Sequence, residues 1–177
     1  MRMHVFQVPP GWMAAVWTFT GLKSLTLPRE TPEAALQEIG AGVQVEGLQV
    51  KLDVLPYGTE KKLTLELQKE LESYFCGRLI RFSVPVDWSG YTPFQRRILA
   101  VVAGIPYGTV RSYRWVAEAC GNPRLARAVG GVMRSNRTPV VIPCHRVVGQ
   151  DGSLGGYSGG LAVKRYLLGL EGVKSFS

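Results

Sequence analysis

Apolar residues recur along this chain with two different periods, and the change from one to the other divides it. Between Trp12 and Leu27 they alternate loosely with polar residues on either side of Thr20-Gly21, the pattern of two strands joined by a tight turn. Thr31-Pro32 reads as a helix start, a capping hydroxyl followed by proline at the first helical position, where a missing N–H costs nothing. A longer helix is predicted from Thr59, with Leu63, Leu67, Leu71, Tyr74 and Phe75 on one stripe and Gly77 placed to end it. No group of reactive side chains gathers in this half. Cys76, beside the helix end, reads as structural.

Beyond residue 91 the period is helical and the boundaries are sharper. Thr92-Pro93 opens a helix with Phe94, Ile98, Val101, Val102 and Ile105 on its apolar face, and Pro106-Tyr107-Gly108 closes it. Ser112 caps a second helix running through Val116 and Ala119 towards Gly121, and Asn122-Pro123 opens a third. The short, glycine-containing turn between these two makes a helix-turn-helix pattern. On a wheel of about 100° per residue with Arg124 at zero, Leu125, Val129, Val132 and Met133 fall between about 80° and 180°. Gly130 falls near 240°, and Arg127, Arg134 and Gly131 between about 280° and 340°. One face is core. The other, glycine and arginine, suits a nucleic-acid groove, although close packing of the glycines against another helix would explain them as well.

The stretch Pro85-Val86-Asp87-Trp88-Ser89-Gly90-Tyr91-Thr92 separates the two patterns, giving a first domain over residues 1–85, a linker over 86–91 and a second domain over 92–177. Charge follows the same division. Residues 1–88 carry 9 Lys/Arg and 10 Asp/Glu, whereas residues 89–177 carry 12 and 3, ten of the twelve being Arg, so the excess of the +8 chain lies in the second half. A polyanion partner fits that asymmetry, and a solvated basic face is the other reading. At 177 residues and 46% hydrophobic content the chain can bury a real core. With no apolar leader and charges interrupting every apolar stretch, it is expected to be cytoplasmic, or nuclear in a cell with a nucleus, and not membrane-bound. Cys76, Cys120 and Cys144 are odd in number and lack metal-ligand spacing, and only His4 and His145 could join them, so free thiols with no metal and no cofactor are expected.

The chemistry concentrates in Ile142-Pro143-Cys144-His145-Arg146, with Asn136 eight residues before the cysteine. A thiol gives little thiolate at neutral pH unless a cation or base lies near it, and His145 and Arg146 are both candidates for that neighbour.

Taken together, these residues resemble one family, the O6-alkylguanine-DNA alkyltransferases, also called methylated-DNA–protein-cysteine methyltransferases. Arg127-Ala128-Val129-Gly130-Gly131 resembles their recognition helix, Asn136 their hinge asparagine, and Pro143-Cys144-His145-Arg146-Val147-Val148 their active-site motif. The run from Gly155 to Lys164 resembles the loop and helix that close their alkyl pocket. The likeness is strong over residues 91–172 and weak over 1–85. It implies a ribonuclease-H-like α/β first domain and a mostly α, winged-helix-like second domain. It also implies direct, irreversible, stoichiometric transfer of an alkyl group from O6-alkylguanine, and from O4-alkylthymine, in double-stranded DNA to Cys144, by a monomer.

The resemblance carries roles with it. Cys144 would be the nucleophile, His145 its base through a water, Glu171 the orienter of the imidazole, and Asn136 the brace of the turn. Tyr113 would donate to the leaving guanine and press on the neighbouring phosphate, while Arg127 would fill the gap left by the extruded base, with Ala128, Gly130, Gly131 and Arg134 on the DNA. Carbonyls of Cys144 and Val147 would accept from the guanine amine, Tyr157 would wall the pocket and Ser158 would bond near the transferred group. Two rivals keep part of the pattern: a lesion-binding relative without chemistry, against which the presence of Cys144 argues, and a winged-helix regulator in which the Pro-Cys-His-Arg run is coincidence.

Overall fold

Alternation in the first residues builds a small sheet, seen in a computed structural model that describes residues 1–40, 59–78 and 81–174. Strands β1 (Arg2–Val8), β2 (Gly11–Thr18) and β3 (Gly21–Leu25) pair antiparallel in chain order. The expected hairpin is β2–β3; β1, whose own alternation buries His4, Phe6 and Val8, adds an edge that the sequence reading left out. The central strand is buried continuously from Met13 to Trp17, as a strand covered on both faces must be. Helix α1 (Pro32–Gly40) lays Ala35 and Ile39 on Ala14 and Val16, and it starts where expected, with the Ala34 N–H donating to Thr31 Oγ1. Helix α2 (Thr59–Phe75) packs against β1 through its stripe of Leu67, Leu71, Tyr74 and Phe75, and Gly77, at φ +71°, ends it. Leu63 is only half-buried, and Thr64 takes the inward position. Cys76 is exposed.

The chain divides into two compact units, Met1–Asp87 and Trp88–Ser177. The stretch read as a linker is held on both sides of that division. Val86 bridges to Leu22 in parallel, extending the first sheet at its β3 edge, and Asp87 is buried with an oxygen 2.7 Å from Thr18 Oγ1. Tyr91 is buried in the second unit. Backbone hydrogen bonding, which composition does not reveal, turns the linker into structure.

In the second unit, α3 (Pro93–Ala103) begins with a reciprocal capping box between Thr92 and Gln95, a device worth about 1 kcal/mol. Its buried face is Ile98, Leu99 and Val102, whereas Phe94 is exposed. Counting about 100° per residue, the centre of that face lies almost a quarter turn from Phe94, which the i,i+4 spacing to Ile98 disguised. A two-residue strand, β4 (Arg111–Ser112), leads into α4 (Tyr113–Ala119), capped by Ser112, and α5 (Ala126–Arg134) follows after a short 3-10 turn opened by Asn122-Pro123. The third helix therefore begins as a 3-10 turn. β5 (Val147–Val148) pairs in parallel with β4, and α6 (Leu161–Leu170) completes the unit. No helix among the described residues is long and apolar enough to cross a membrane.

Candidate active site

Cys144, His145 and Arg146 form a single buried 3-10 turn, and β5 leaves it at once to pair Val147 with Arg111 and Val148 with Ser112. That pairing sets the start of α4, and so Tyr113, beside the cysteine's strand. From the other side Asn136, just past the end of α5, donates Nδ2 to Cys144 Sγ at 3.0 Å and to the Ile142 carbonyl at 2.9 Å. Its Oδ1 accepts the Thr138 N–H at 3.1 Å, so the amide is fixed in orientation as well as in place. Between Asn136 and Cys144 the chain passes through Val140 at φ +72°. A β-branched residue there stores about 1–3 kcal/mol, held only because its surroundings over-determine it.

Helix α6 supplies two ionisable groups from an inward stripe: Lys164, Leu167, Leu168 and Glu171 follow one another at helical spacing, and all four are buried. Glu171 Oε1 lies 2.7 Å from His145 Nε2, and Arg146 donates Nε to Oε2 at 2.8 Å and Nη2 to Oε1 at 2.9 Å. Arg146 Nη1 reaches the Ile105 carbonyl, and the Gly108 N–H reaches Glu171 Oε2. Burial pushes the Glu171 carboxyl up, but the hydrogen bonds and charges of His145 and Arg146 outweigh it and hold the group down at about 2. An ionised carboxylate only accepts, so His145 Nε2 carries its hydrogen and Nδ1 keeps the basic lone pair. Burial also pushes the His145 pKa down, against the pull of Glu171, which keeps the ring neutral.

Burial pushes the Cys144 thiol up, opposed first by the Asn136 hydrogen bond and then by the charge of Lys164. The cation acting on the sulfur is therefore Lys164, and the expectation for Arg146 needs correcting. Arg146 turns instead to Glu171, sharing that carboxylate with His145, and its guanidinium is spent there and on the Ile105 carbonyl. Lys164 is fully buried, donates to the carbonyls of Val147 and Leu154, and stands 6.0 Å from the centre of the Tyr113 ring. Burial lowers it to about 8. Its place on the apolar stripe with Leu167 and Leu168 was the available sign. The Val147 carbonyl thus already holds Lys164, with a second lone pair still able to accept.

Two tyrosines complete the site. Tyr157 has a buried hydroxyl directed at Cys144, and burial, then the charge and hydrogen bond of that cysteine, push its pKa well above the ordinary value, so it stays a neutral donor. Tyr113 donates to the Gly156 carbonyl at 3.4 Å, and a Cβ on Gly155, at φ +61°, would come within 2.9 Å of its hydroxyl. Only glycine lets that loop approach the ring. An open groove of about 520 Å³ is lined by Tyr113, Ala126, Arg127, Gly130, Arg134 and Gly156. Gly131 has open space where a side chain would project, and Gly130 meets only the Tyr113 ring at 3.9 Å, so the glycines flatten a surface rather than admit another helix. Ala128 and Gly131 are exposed outside that lining, and Ser158 is exposed next to Tyr157. Among the described residues no group of three His, Cys, Asp or Glu side chains could hold a metal ion.

The family described as "6-O-methylguanine DNA methyltransferase, DNA binding domain" matches residues 93–173. A methylated-DNA–protein-cysteine methyltransferase of Methanosarcina barkeri is 43% identical over 111 residues, 63% of this chain and 70% of that protein. The constitutive enzyme of Bacillus subtilis with the same name is 41% identical over 117 residues, 64% and 70% of the two chains. Among solved structures, Mycobacterium tuberculosis OGT in complex with DNA aligns with a TM-score of 0.71 at 30% identity, covering 96% of this chain and 92% of that one. The O6-methylguanine-DNA methyltransferase of Pyrococcus kodakaraensis aligns at 0.66 and 28% identity, over 97% and 100%. Both structural matches span the first unit as well as the second.

Proposed function

The chain belongs to the methylated-DNA–protein-cysteine methyltransferases, and from that premise we propose that Cys144 is the residue alkylated when it repairs DNA. Its activity is direct repair: an alkyl group passes from O6-alkylguanine in DNA to a protein cysteine, and DNA is its partner. The observation that carries the assignment is one buried sulfur that takes the Asn136 amide hydrogen bond and feels the Lys164 charge, in a turn whose next residue is a neutral histidine oriented by an ionised glutamate.

The residues supply each part of an in-line displacement. The Cys144 sulfur attacks the alkyl carbon, an S–C bond forms, and the C–O6 bond breaks with its electron pair left on the guanine oxygen. The thiol proton passes through a water to His145, whose imidazolium the Glu171 carboxylate stabilises without taking the proton. Asn136 and Lys164 stabilise the sulfur as its charge develops, at a buried position where such contacts are worth more than in bulk water. Tyr113 donates to the guanine ring, the carbonyls of Cys144 and Val147 accept from its amine, Tyr157 walls the pocket and Ser158 bonds near the transferred group. A thioether is not restored by cellular reductants, so each chain acts once.

The groove lined by Arg127, Gly130 and Arg134 is where we place the duplex, with Ala128 and Gly131 against it and Arg127 replacing the extruded base. Phosphate contacts from the arginine-rich unit make binding depend on salt more than on sequence. The fold is α/β in two units. The sheet with α1 and α2 fits a ribonuclease-H-like first domain, and α3 to α5 with the β4–β5 pair fit a winged-helix-like second domain. Three free thiols suit a reducing compartment, cytoplasm or nucleus. Labelled alkyl transfer from an O6-alkylated duplex to wild type and to Cys144→Ser tests the assignment: label must appear on the first and be absent from the second, while both bind the duplex.

A further inference from the structure

Asn136 braces the turn that carries Cys144, yet the turn it opens is not one that keeps its shape unaided. Residues 136–143 pass through Val140 in the left-handed region, and such a turn needs contacts from outside itself. Those contacts come from the beginning of the second unit. The Arg137 N–H donates to the Tyr91 hydroxyl at 2.8 Å, the Arg137 guanidinium lies 5.0 Å from the centre of the Tyr91 ring, and Nη2 reaches the Gly90 carbonyl at 3.4 Å. Tyr91 is only 4% exposed, so its hydroxyl is an interior acceptor for a backbone N–H rather than a solvated one. At Gly90, φ +78°, a Cβ would come within 2.9 Å of the same guanidinium. On the other side of Asn136, Gln95 of the α3 capping box donates to Ser135 Oγ at 3.1 Å. Residues 90–95 thus grip the chain immediately before and immediately after Asn136.

We propose that Tyr91 and Arg137 form a positioning clamp for the alkyl transfer, pinning the backbone at residue 137 and so keeping the Asn136 amide on the Cys144 sulfur. The inference rests on Cys144 being the acceptor. Neither clamp residue touches the sulfur; the clamp works through Asn136. If the backbone at 137 shifts, the Nδ2–Sγ hydrogen bond lengthens and the buried sulfur loses one of the donors that favour its charged form.

Tyr91→Phe keeps the ring and its stack and removes only the hydroxyl. Transfer from free O6-benzylguanine, followed by intact mass across neutral and alkaline pH, is compared for wild type, Tyr91→Phe, Asn136→Ala and the double variant. The clamp predicts that Tyr91→Phe slows transfer roughly three- to tenfold at neutral pH, regains most of the rate at alkaline pH, and adds nothing to Asn136→Ala. An unchanged profile, an equal loss at every pH, or full additivity with Asn136→Ala overturns it. Should Tyr91→Phe fail to fold, Arg137→Ala carries the test: it loses the stack and the Gly90 contact but keeps the N–H, and must displace the profile in the same direction by a smaller factor. A wild-type profile there also overturns the clamp. Label accepted by Cys144→Ser contradicts the acceptor assignment instead, and so separates the two failures.

Discussion

The two units differ in what they bury. The first closes over Met13 to Trp17, Leu67, Leu71 and Tyr74, with Thr26 accepting from the Ala14 N–H and Thr64 donating to the Glu60 carbonyl, and its buried ionisable groups among the described residues, His4 and Asp87, stand apart rather than in one cluster. The second buries Cys144, His145, Arg146, Lys164 and Glu171 within a stretch of the chain from 144 to 171. Desolvating ions costs several kcal/mol each unless partners compensate, and an apolar core of similar volume is often at least as stable. A unit selected for stability alone has no use for this cluster. On the proposed function, the cluster provides a thiol with a donor and a cation, and a histidine with its carboxylate, fixed before a substrate arrives, the arrangement that lowers a barrier without reorganisation.

The largest effect expected from breaking the contrast is at Glu171. Glu171→Ala leaves the Arg146 guanidinium buried without its carboxylate and His145 without its orienter, so denaturant unfolding should show a loss of about 3–5 kcal/mol. Acid reaches the same cluster without mutation. Glu171 is held at about 2 in the fold against an ordinary 4.5, so its contribution is complete above about pH 4.5 and lost as pH falls towards 2, on the order of 3 kcal/mol. His145, lowered by burial, adds a loss below its ordinary 6.5, where the unfolded chain binds a proton that the folded one refuses; His4 in the first unit does the same. Urea midpoints measured from neutral to acid pH should therefore fall, and should fall less in a Glu171→Gln background.

A smaller effect separates reading DNA from reacting with it. Arg127 is exposed on the groove, away from the α5 core of Val129, Val132 and Met133, so Arg127→Ala should leave the melting temperature unchanged. Transfer from duplex DNA should slow at least about tenfold, equivalent to 1.4 kcal/mol, while transfer from free O6-benzylguanine, which has no stack to leave, stays near wild type. Equal slowing of both would assign Arg127 to the pocket instead. The smallest change belongs to the first unit. The Arg29–Glu38 pair is half-exposed on both sides, and Glu38→Gln should shift stability by less than about 1 kcal/mol, an effect that salt erases.

Local chemistry made much of the second unit legible in the sequence. Thr92, Ser112 and Asn122 each bond a backbone N–H inside their own first turn, and such caps are written within three or four residues. Cys144, His145, Asn136 and Glu171 were legible through resemblance, as was the pairing of Glu171 with His145, whereas the Asn136 bond to the sulfur and the Arg146 bonds to Glu171 were not. The β4–β5 pairing joins residues far apart in sequence through backbone alone, so no side-chain pattern announces it. Lys164 hid in plain view, because a lysine on an apolar stripe usually extends its ammonium to water, and here two carbonyls receive it inside. Arg146 was misread because a partner far along the chain, Glu171, claims its guanidinium, and nearness in sequence to Cys144 does not reveal that. Phe94 was misread because spacing alone does not locate the centre of a helix face.

The central claim is that Cys144 accepts one alkyl group and is not regenerated. Intact-mass spectrometry after incubation with a molar excess of O6-methylguanine duplex, followed by peptide mapping, measures both parts. The account predicts a single added methyl per chain, confined to the peptide containing Cys144, and repaired DNA equal in amount to protein. Label on Cys76 or Cys120 with Cys144 unmodified, or repaired DNA in excess of protein, would contradict it.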